Sequence, residues 1–355
     1  MRIAEINDVA SVASEIARGL RARGHDVDLL QPHLVGASLH PLVKPVVGPA
    51  RAADWMSLIH ALHGGDYDLA HIHYAYLGNI GNIGVIGRFP YILHCHGTDL
   101  RGATVFTRPL IRRAIRNARH VFYSTPDLAA YVKRYRDDCE FLPNPIDTEL
   151  FQPEAPSSER DGVFICCALT EIKGAARLYN ACQRLAEARP GVRVTAIAGG
   201  PYTAEFADLP NVTLLPRQPR ANLPRIISQH AVVLGWVRLG IAGMAELEAM
   251  ACARPVVTWF NQAHVYPEEP PFLRAVDGYD IATAIIQLID DPALRDRLGA
   301  ESRAWVHRYH RLELAVARVE EVALAVAERR GGERRLTARL SFPGLPRARP
   351  RFPRR

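Results

Sequence analysis

The chain alternates two kinds of apolar pattern. Short runs such as MRIAEI, HDVDLL, YDLAHIHY, PYILHCH, HVFYS and CEFLPN read as strands. Between them, SVASEIARGLRAR, RAADWMSLIHALHGG, RPLIRRAIRNAR and DLAAYVKRY place apolar residues at helical spacing, and two of these end on glycine. Strands separated by helices predict a parallel sheet covered on both faces.

Residues 144–162, NPIDTELFQPEAPSSERDG, break the alternation with proline, serine and charge and read as a connection. The alternation then restarts. DGVFICCAL, VRVTAIAGG, NVTLLP, AVVLGWV and PVVTWF are strand-like. ARLYNACQRLAEARPG, LPRIISQH, a helix starting near Gly243, DGYDIATAIIQLIDD and RLELAVARVEEVALAVAERR are helical. The predicted fold is α/β, with two doubly wound Rossmann-like domains. They occupy residues 1–145 and 163–330, with a linker over 146–162, a closing helix in the second domain and a tail over 331–355. Such sheets bind ligands at the carboxyl ends of their strands, so two that face each other form an interdomain cleft.

Composition narrows the class. A length of 355 residues suits two domains, and 48% hydrophobic content supports a core in each. The sequence has no apolar run of the roughly 18 residues that a membrane span needs. The start, MRIAEIND, lacks the pattern of a secretory signal. Six cysteines without a Cys-x-x-Cys pair read as reduced thiols, which points to the cytoplasm. The tail holds eight arginines and one glutamate, so it carries the whole formal charge of +7 and the remainder is neutral. We expect the tail to be disordered, either as a solvated extension, the favoured reading, or as a weak contact for anionic membrane, which would make the protein peripheral. A neutral body argues against a nucleic-acid partner.

The most informative stretch is GIAGMAELEAMACARPVVT (240–258). A helix that starts near Gly243 exposes unpaired N–H groups, and the glycine admits a phosphate, so Gly243 and Met244 can hold a diphosphate. Glu246 and Glu248 lie about 200° apart on that helix and cannot serve one face. Glu248, leaning toward the N-terminus, can accept from paired sugar hydroxyls. Alternatively, both acids only complement the helix dipole.

Here the residues resemble a known family. LEAMACARPVV is similar to the signature of the family 4 glycosyltransferases, which have the GT-B fold. The resemblance extends over about residues 1–325, through RGLRARGHDVDLL, DLAHIHY, LHCHGTDLRG, LPNPIDTELFQP, EIKGAARLYNACQRL and AIAGGPY. It implies an acceptor-side first domain and a second domain that binds a nucleotide-sugar. Glu248 would bind the donor's ribose and Glu246 would lie at the surface. Lys173 would contact the diphosphate and His96 would sit beside the transferred sugar, the two being the catalytic residues. It also implies hexosyl transfer with retention, needing no metal or other cofactor.

Two positions depart from the family pattern. Gly240 stands where a second glutamate is usual, and Ala168 where an arginine is usual, so Arg217 or Arg238 is expected to serve at the phosphates. NDVASVAS also replaces the family's glycine-rich first loop. A GT-B protein that binds a nucleotide-sugar or a partner without catalysis is therefore a second reading. A GT-B epimerase or phosphorylase is a third. The acceptor, whether small molecule, glycan or lipid-linked, has no legible motif.

Other constellations carry less. His71, His73, His94 and His96 alternate onto one face of neighbouring strands, but without a familiar ligand set we expect no metal there. Asp26/Asp28 and Asp66/Asp68 open strands, at the end opposite the ligand crevice. The arginines of 108–120 read as a solvated helix face. No Gly-x-Ser-x-Gly elbow supports hydrolase chemistry.

Overall fold

The computed structural model describes residues 1–32, 48–82, 89–154 and 162–340. The first half contains β1 (Arg2–Ile6), α1 (Val12–Ala22), β2 (Asp26–Leu30), α2 (Gly48–Gly64), β3 (Leu69–His73) and β4 (Tyr91–Cys95). It continues with α3 (Thr98–Arg101), α4 (Arg108–Asn117), β5 (His120–Tyr123), α5 (Ala129–Val132) and β6 (Cys139–Phe141). The six strands form one parallel sheet in the order β2-β1-β3-β4-β5-β6.

The second half contains β7 (Val163–Ile165), α6 (Ala175–Ala188), β8 (Val194–Ile197), α7 (Thr203–Ala207), β9 (Val212–Leu215) and α8 (Leu223–Ser228). Next come β10 (Val232–Leu234), α9 (Met244–Ala251), β11 (Val256–Thr258), β12 (Leu273–Arg274), α10 (Gly278–Asp290), α11 (Pro292–Tyr309) and α12 (Leu312–Leu340). Its sheet is also parallel, in the order β12-β11-β10-β7-β8-β9. Strand order reverses between β1 and β3 in one sheet and between β7 and β10 in the other. Each reversal opens a crevice at the carboxyl ends of those strands.

Each sheet is buried on both faces. Val12, Ile16 and Leu20 of α1 cover one face of the first, against Ile3, Leu69 and Ile92. Ile111, Ala114 and Ile115 of α4 cover the other. The second sheet lies between α6 and α10 on one side and α9 and α11 on the other.

The structure revises three expectations. The closing helix does not cover the second sheet: Val316, Val319 and Ala323 of α12 pack on the first sheet beside Ile16 and Phe122. The connection after residue 145 is not loose, since Ile146 and Phe151 are fully buried. The Ile146 N–H donates to the His310 carbonyl at 2.7 Å, and the Leu312 N–H to the Ile146 carbonyl at 3.0 Å, so the two chain crossings are paired. Residues 155–161 of that connection lie outside the described residues. The tail is helical in its first part, because α12 continues to Leu340. Residues 341–355 lie outside the described residues.

Helix α11 has no counterpart in the sequence reading. Only Gly299, Ser302, Trp305 and Val306 of its residues are buried, too sparse a stripe to stand out among its charges. Among the described residues no helix is long and apolar enough to cross a membrane. All six cysteines are free thiols.

Candidate active site

The two crevices face one cavity of about 230 Å3. From the first half it is lined by Ala10, His96, Arg101, Thr125 and Asn144, and from the second by Lys173, Trp236, Gly243 and Met244. Four predicted residues, His96, Lys173, Gly243 and Met244, thus meet in one space from distant parts of the chain.

Local geometry places each of them. Lys173 closes a single 3-10 turn, and Gly174 follows with φ +89°. A Cβ at Gly174 would lie 2.6 Å from Val237 Cγ2, so only glycine lets this turn pack against the loop after β10. The Lys173 ammonium sits 4.7 Å from the centre of the Trp236 ring. Met244 starts α9, with Gly243 as its N-cap.

Glu246 is not at the surface. It is fully buried, and its carboxylate accepts from the Trp236 N–H at 2.6 Å and the Gly243 N–H at 2.9 Å. It therefore ties the loop after β10 to the start of α9, the reciprocal half of a capping box. Burial raises its pKa, while these backbone donors oppose the shift. The sequence signal was available: position N3 of a helix is where a capping glutamate belongs.

Glu248 is nearly buried and does not line the cavity; its carboxylate accepts from Arg220 Nε at 3.1 Å. Desolvation pushes it up to about 7, with Arg220 pulling the other way. Arg220 also donates through Nη1 to Glu15 of α1 at 2.6 Å and lies 4.9 Å over the Phe151 ring. Arg18 completes the network, donating to Glu15 at 2.5 Å and Asp147 at 2.6 Å.

The proposed substitutes for the missing arginine do not enter the cavity. Arg238 is committed to Glu171, and Arg217 is exposed outside the lining. The arginine that does line it is Arg101, which the sequence reading missed. It is held by Asp127 through two bonds of 2.8 Å and by Thr125 Oγ1 at 3.0 Å. Gly97, at φ +116°, makes room: a Cβ there would fall 2.3 Å from Arg101 Nη1. Asp99 braces the same turn, accepting from the N–H groups of Ala75 at 2.8 Å and Gly97 at 2.7 Å.

The departures have structural causes. Gly240 has φ +69°, and a Cβ there would lie 2.4 Å from Asn261 Oδ1, so a glutamate does not fit this backbone. Ala168 is exposed, so an arginine's absence there leaves no hole. The loop after β1 keeps a glycine-like path without glycine: Asn7, Ala10 and Ser11 have φ of 71°, 51° and 64°.

Behind His96 lies a buried polar row. Glu5, His71, His73 and His94 are all 0% exposed. One nitrogen each of His71, His73 and His94 lies within 4.8 Å of the others, a spacing open to a metal ion. The Glu5–His73 contact is 2.9 Å and the His73–His96 contact 2.9 Å, so both His73 nitrogens are already engaged.

A second concavity, of about 540 Å3, runs along α4 and is lined by Arg108, Arg112, Arg113, Arg116 and Tyr135. Val105 and Phe106 (85% exposed), just before α4, and Leu110 on it are exposed.

Two family models match, Glycosyltransferase Family 4 over residues 9–150 and Glycosyl transferase-like over residues 177–321. With this site between two such sheets, the chain belongs to the family 4 glycosyltransferases and has the GT-B fold. A curated relative is the GDP-mannose-dependent monoacylated alpha-(1-6)-phosphatidylinositol monomannoside mannosyltransferase of Corynebacterium glutamicum. It is 25% identical over 194 residues, 47% of this chain and 51% of that protein. The chain thus spans about half the length of that relative in the match. Among solved structures, sucrose-phosphate synthase from Thermosynechococcus elongatus superposes with a TM-score of 0.69 at 19% identity, covering 96% of this chain and 100% of that one. HepE from Anabaena, in complex with UDP and glucose, superposes with a TM-score of 0.69 at 15% identity, covering 90% and 98%.

Proposed function

We propose that this protein transfers a hexose from a nucleoside-diphosphate sugar to an acceptor hydroxyl, with retention at the anomeric carbon and without a metal ion. The observation that carries this is the meeting of Lys173, Arg101 and the α9 N-terminus with His96 in one interdomain cavity. Three positive groups suit a departing diphosphate, whose charge grows as the bond between the anomeric carbon and the phosphate oxygen breaks. The acceptor oxygen bonds the anomeric carbon on the face the diphosphate leaves, and its proton passes to the departing phosphate oxygen. Glu248 holds the ribose once its bond to Arg220 opens, and Met244 donates to the phosphates, the Gly243 N–H being held by Glu246. The names of the relative, which uses GDP-mannose, and of HepE, bound to UDP and glucose, support this donor class.

The acceptor side fits a membrane surface. The arginines of α4, preceded by exposed Val105 and Phe106 in the turn before it, suit anionic headgroups and acyl chains, and the arginine-rich tail would add weak attraction from the cytoplasmic side. The relative's acceptor, by its name a phosphatidylinositol mannoside, is of this kind.

Calorimetry with UDP, GDP, ADP and TDP, without added metal, tests the donor site. Micromolar binding of one nucleotide supports the reading, and no binding to any of them rejects it. The closed backbone at Gly240 favours one alternative, binding without catalysis, which would show as nucleotide affinity with no glycosylated product.

A further inference from the structure

The buried row behind His96 sets its protons, because each hydrogen bond in it has a direction. Strands β1, β3 and β4 align Glu5 with His71, and His73 with His94. One Glu5 oxygen contacts His73 Nε2 at 2.9 Å, and His71 Nδ1 lies 3.0 Å from that oxygen and 3.1 Å from the other. His73 Nδ1 contacts His96 Nε2 at 2.9 Å. Of these residues only His96 lines the cavity. Its Nδ1 has no hydrogen-bond partner among the described residues.

With Glu5 as a carboxylate, which only accepts, both histidines that face it donate to it. Burial holds His73 well below the usual histidine range and His96 at about 3, so each carries one ring proton. His73 spends its proton on Glu5. Its Nδ1 is therefore a bare acceptor, and His96 must donate to it from Nε2.

We infer that Glu5 and His73 are positioning residues that fix His96 as the Nε2–H tautomer, leaving its Nδ1 lone pair to accept a hydroxyl of the sugar in the cavity. The role toward the sugar rests on the transferase reading above; the tautomer itself does not. The arrangement also accounts for a buried acid that does not line the cavity. A metal ion on His71, His73 and His94 would have to take a His73 nitrogen from Glu5 or His96, so the two arrangements exclude each other.

The test is long-range proton–nitrogen NMR of the full-length protein labelled with 15N-histidine, with His96 assigned by loss of its signals in His96→Gln. The expected spectrum shows His96 protonated at Nε2 and bare at Nδ1. In Glu5→Gln with the amide NH2 turned to His73 Nε2 and its oxygen to His71, the His73 proton moves to Nδ1 and that of His96 moves to Nδ1. The two His96 signals exchange character, and donor KM rises about tenfold, the scale of one lost hydrogen bond. Glu5→Asp, which keeps a carboxylate, retains the wild-type pattern. His73→Leu, which removes the acceptor, gives mixed tautomers and serves if Glu5→Gln does not fold. An Nδ1–H tautomer in the wild type, unchanged His96 signals in both variants, or equimolar zinc in the purified protein would overturn the inference. Because the spectrum needs no donor, absent nucleotide binding with the expected tautomer would reject only the transferase reading.

Discussion

Arg220 and Glu15 are 205 positions apart, yet they form a 2.6 Å bond that joins the two sheets across the cleft. The same guanidinium holds Glu248, so the residue proposed to bind the ribose is tied to the opposite half of the molecule. The cavity is smaller than the roughly 300–1,000 Å3 of common ligand pockets, which fits a closed arrangement held by this tie.

Glu15→Gln should loosen that tie. The pair is mostly buried, and we expect a loss of about 1–3 kcal/mol in urea unfolding. A larger radius of gyration by X-ray scattering should accompany it. Unchanged stability and size would show that the bridge does not hold the halves together.

The Glu248 carboxyl, pushed up to about 7, makes a signed pH prediction. Between its ordinary 4.5 and 7 the folded state binds more protons than the unfolded chain, so this group lowers stability as pH rises through that window. Glu248→Gln should therefore flatten the decline between pH 4.5 and 7.5 by up to about 3 kcal/mol. The ribose needs the carboxylate form, so nucleotide affinity should also be weaker at pH 6 than at pH 8, and Glu248→Gln should bind weakly at both. Calorimetry at the two pH values checks this.

Lys173→Met should reduce turnover by about 100-fold or more while the melting temperature stays within a few degrees. The lysine is half-buried, with its ammonium over the Trp236 ring. Wild-type turnover would remove it from the site.

Glu246→Ala should destabilise by about 2–4 kcal/mol, because two backbone donors lose their acceptor inside the protein. A surface glutamate would cost under about 0.5 kcal/mol. Thermal unfolding separates the two.

Ala10→Gly and Ser11→Gly should each stabilise by about 1 kcal/mol, since both residues hold left-handed backbone that glycine adopts without penalty. Equal or lower stability would mean that their side chains offset the strain.

The sequence by itself determined the two alternating halves and the membership of most strands, because apolar periodicity is local and survives without tertiary contacts. The helix entry marked Gly243, and the resemblance to the family marked His96 and Lys173, all three at turns after strands. Glu246 was misplaced because an acid on an apolar helix looks solvated until its partners, the Trp236 and Gly243 N–H groups, are folded against it. Arg101, Arg220 and Glu5 carry no local signal. Their roles depend on Asp127, Glu15 and His73, and only the packing of distant strands brings these partners within bonding distance. Helix α12 makes the same point at a larger scale: its stripe says that it packs, but only the pairing of Ile146 with the segment around Arg311 turns it back onto the first sheet.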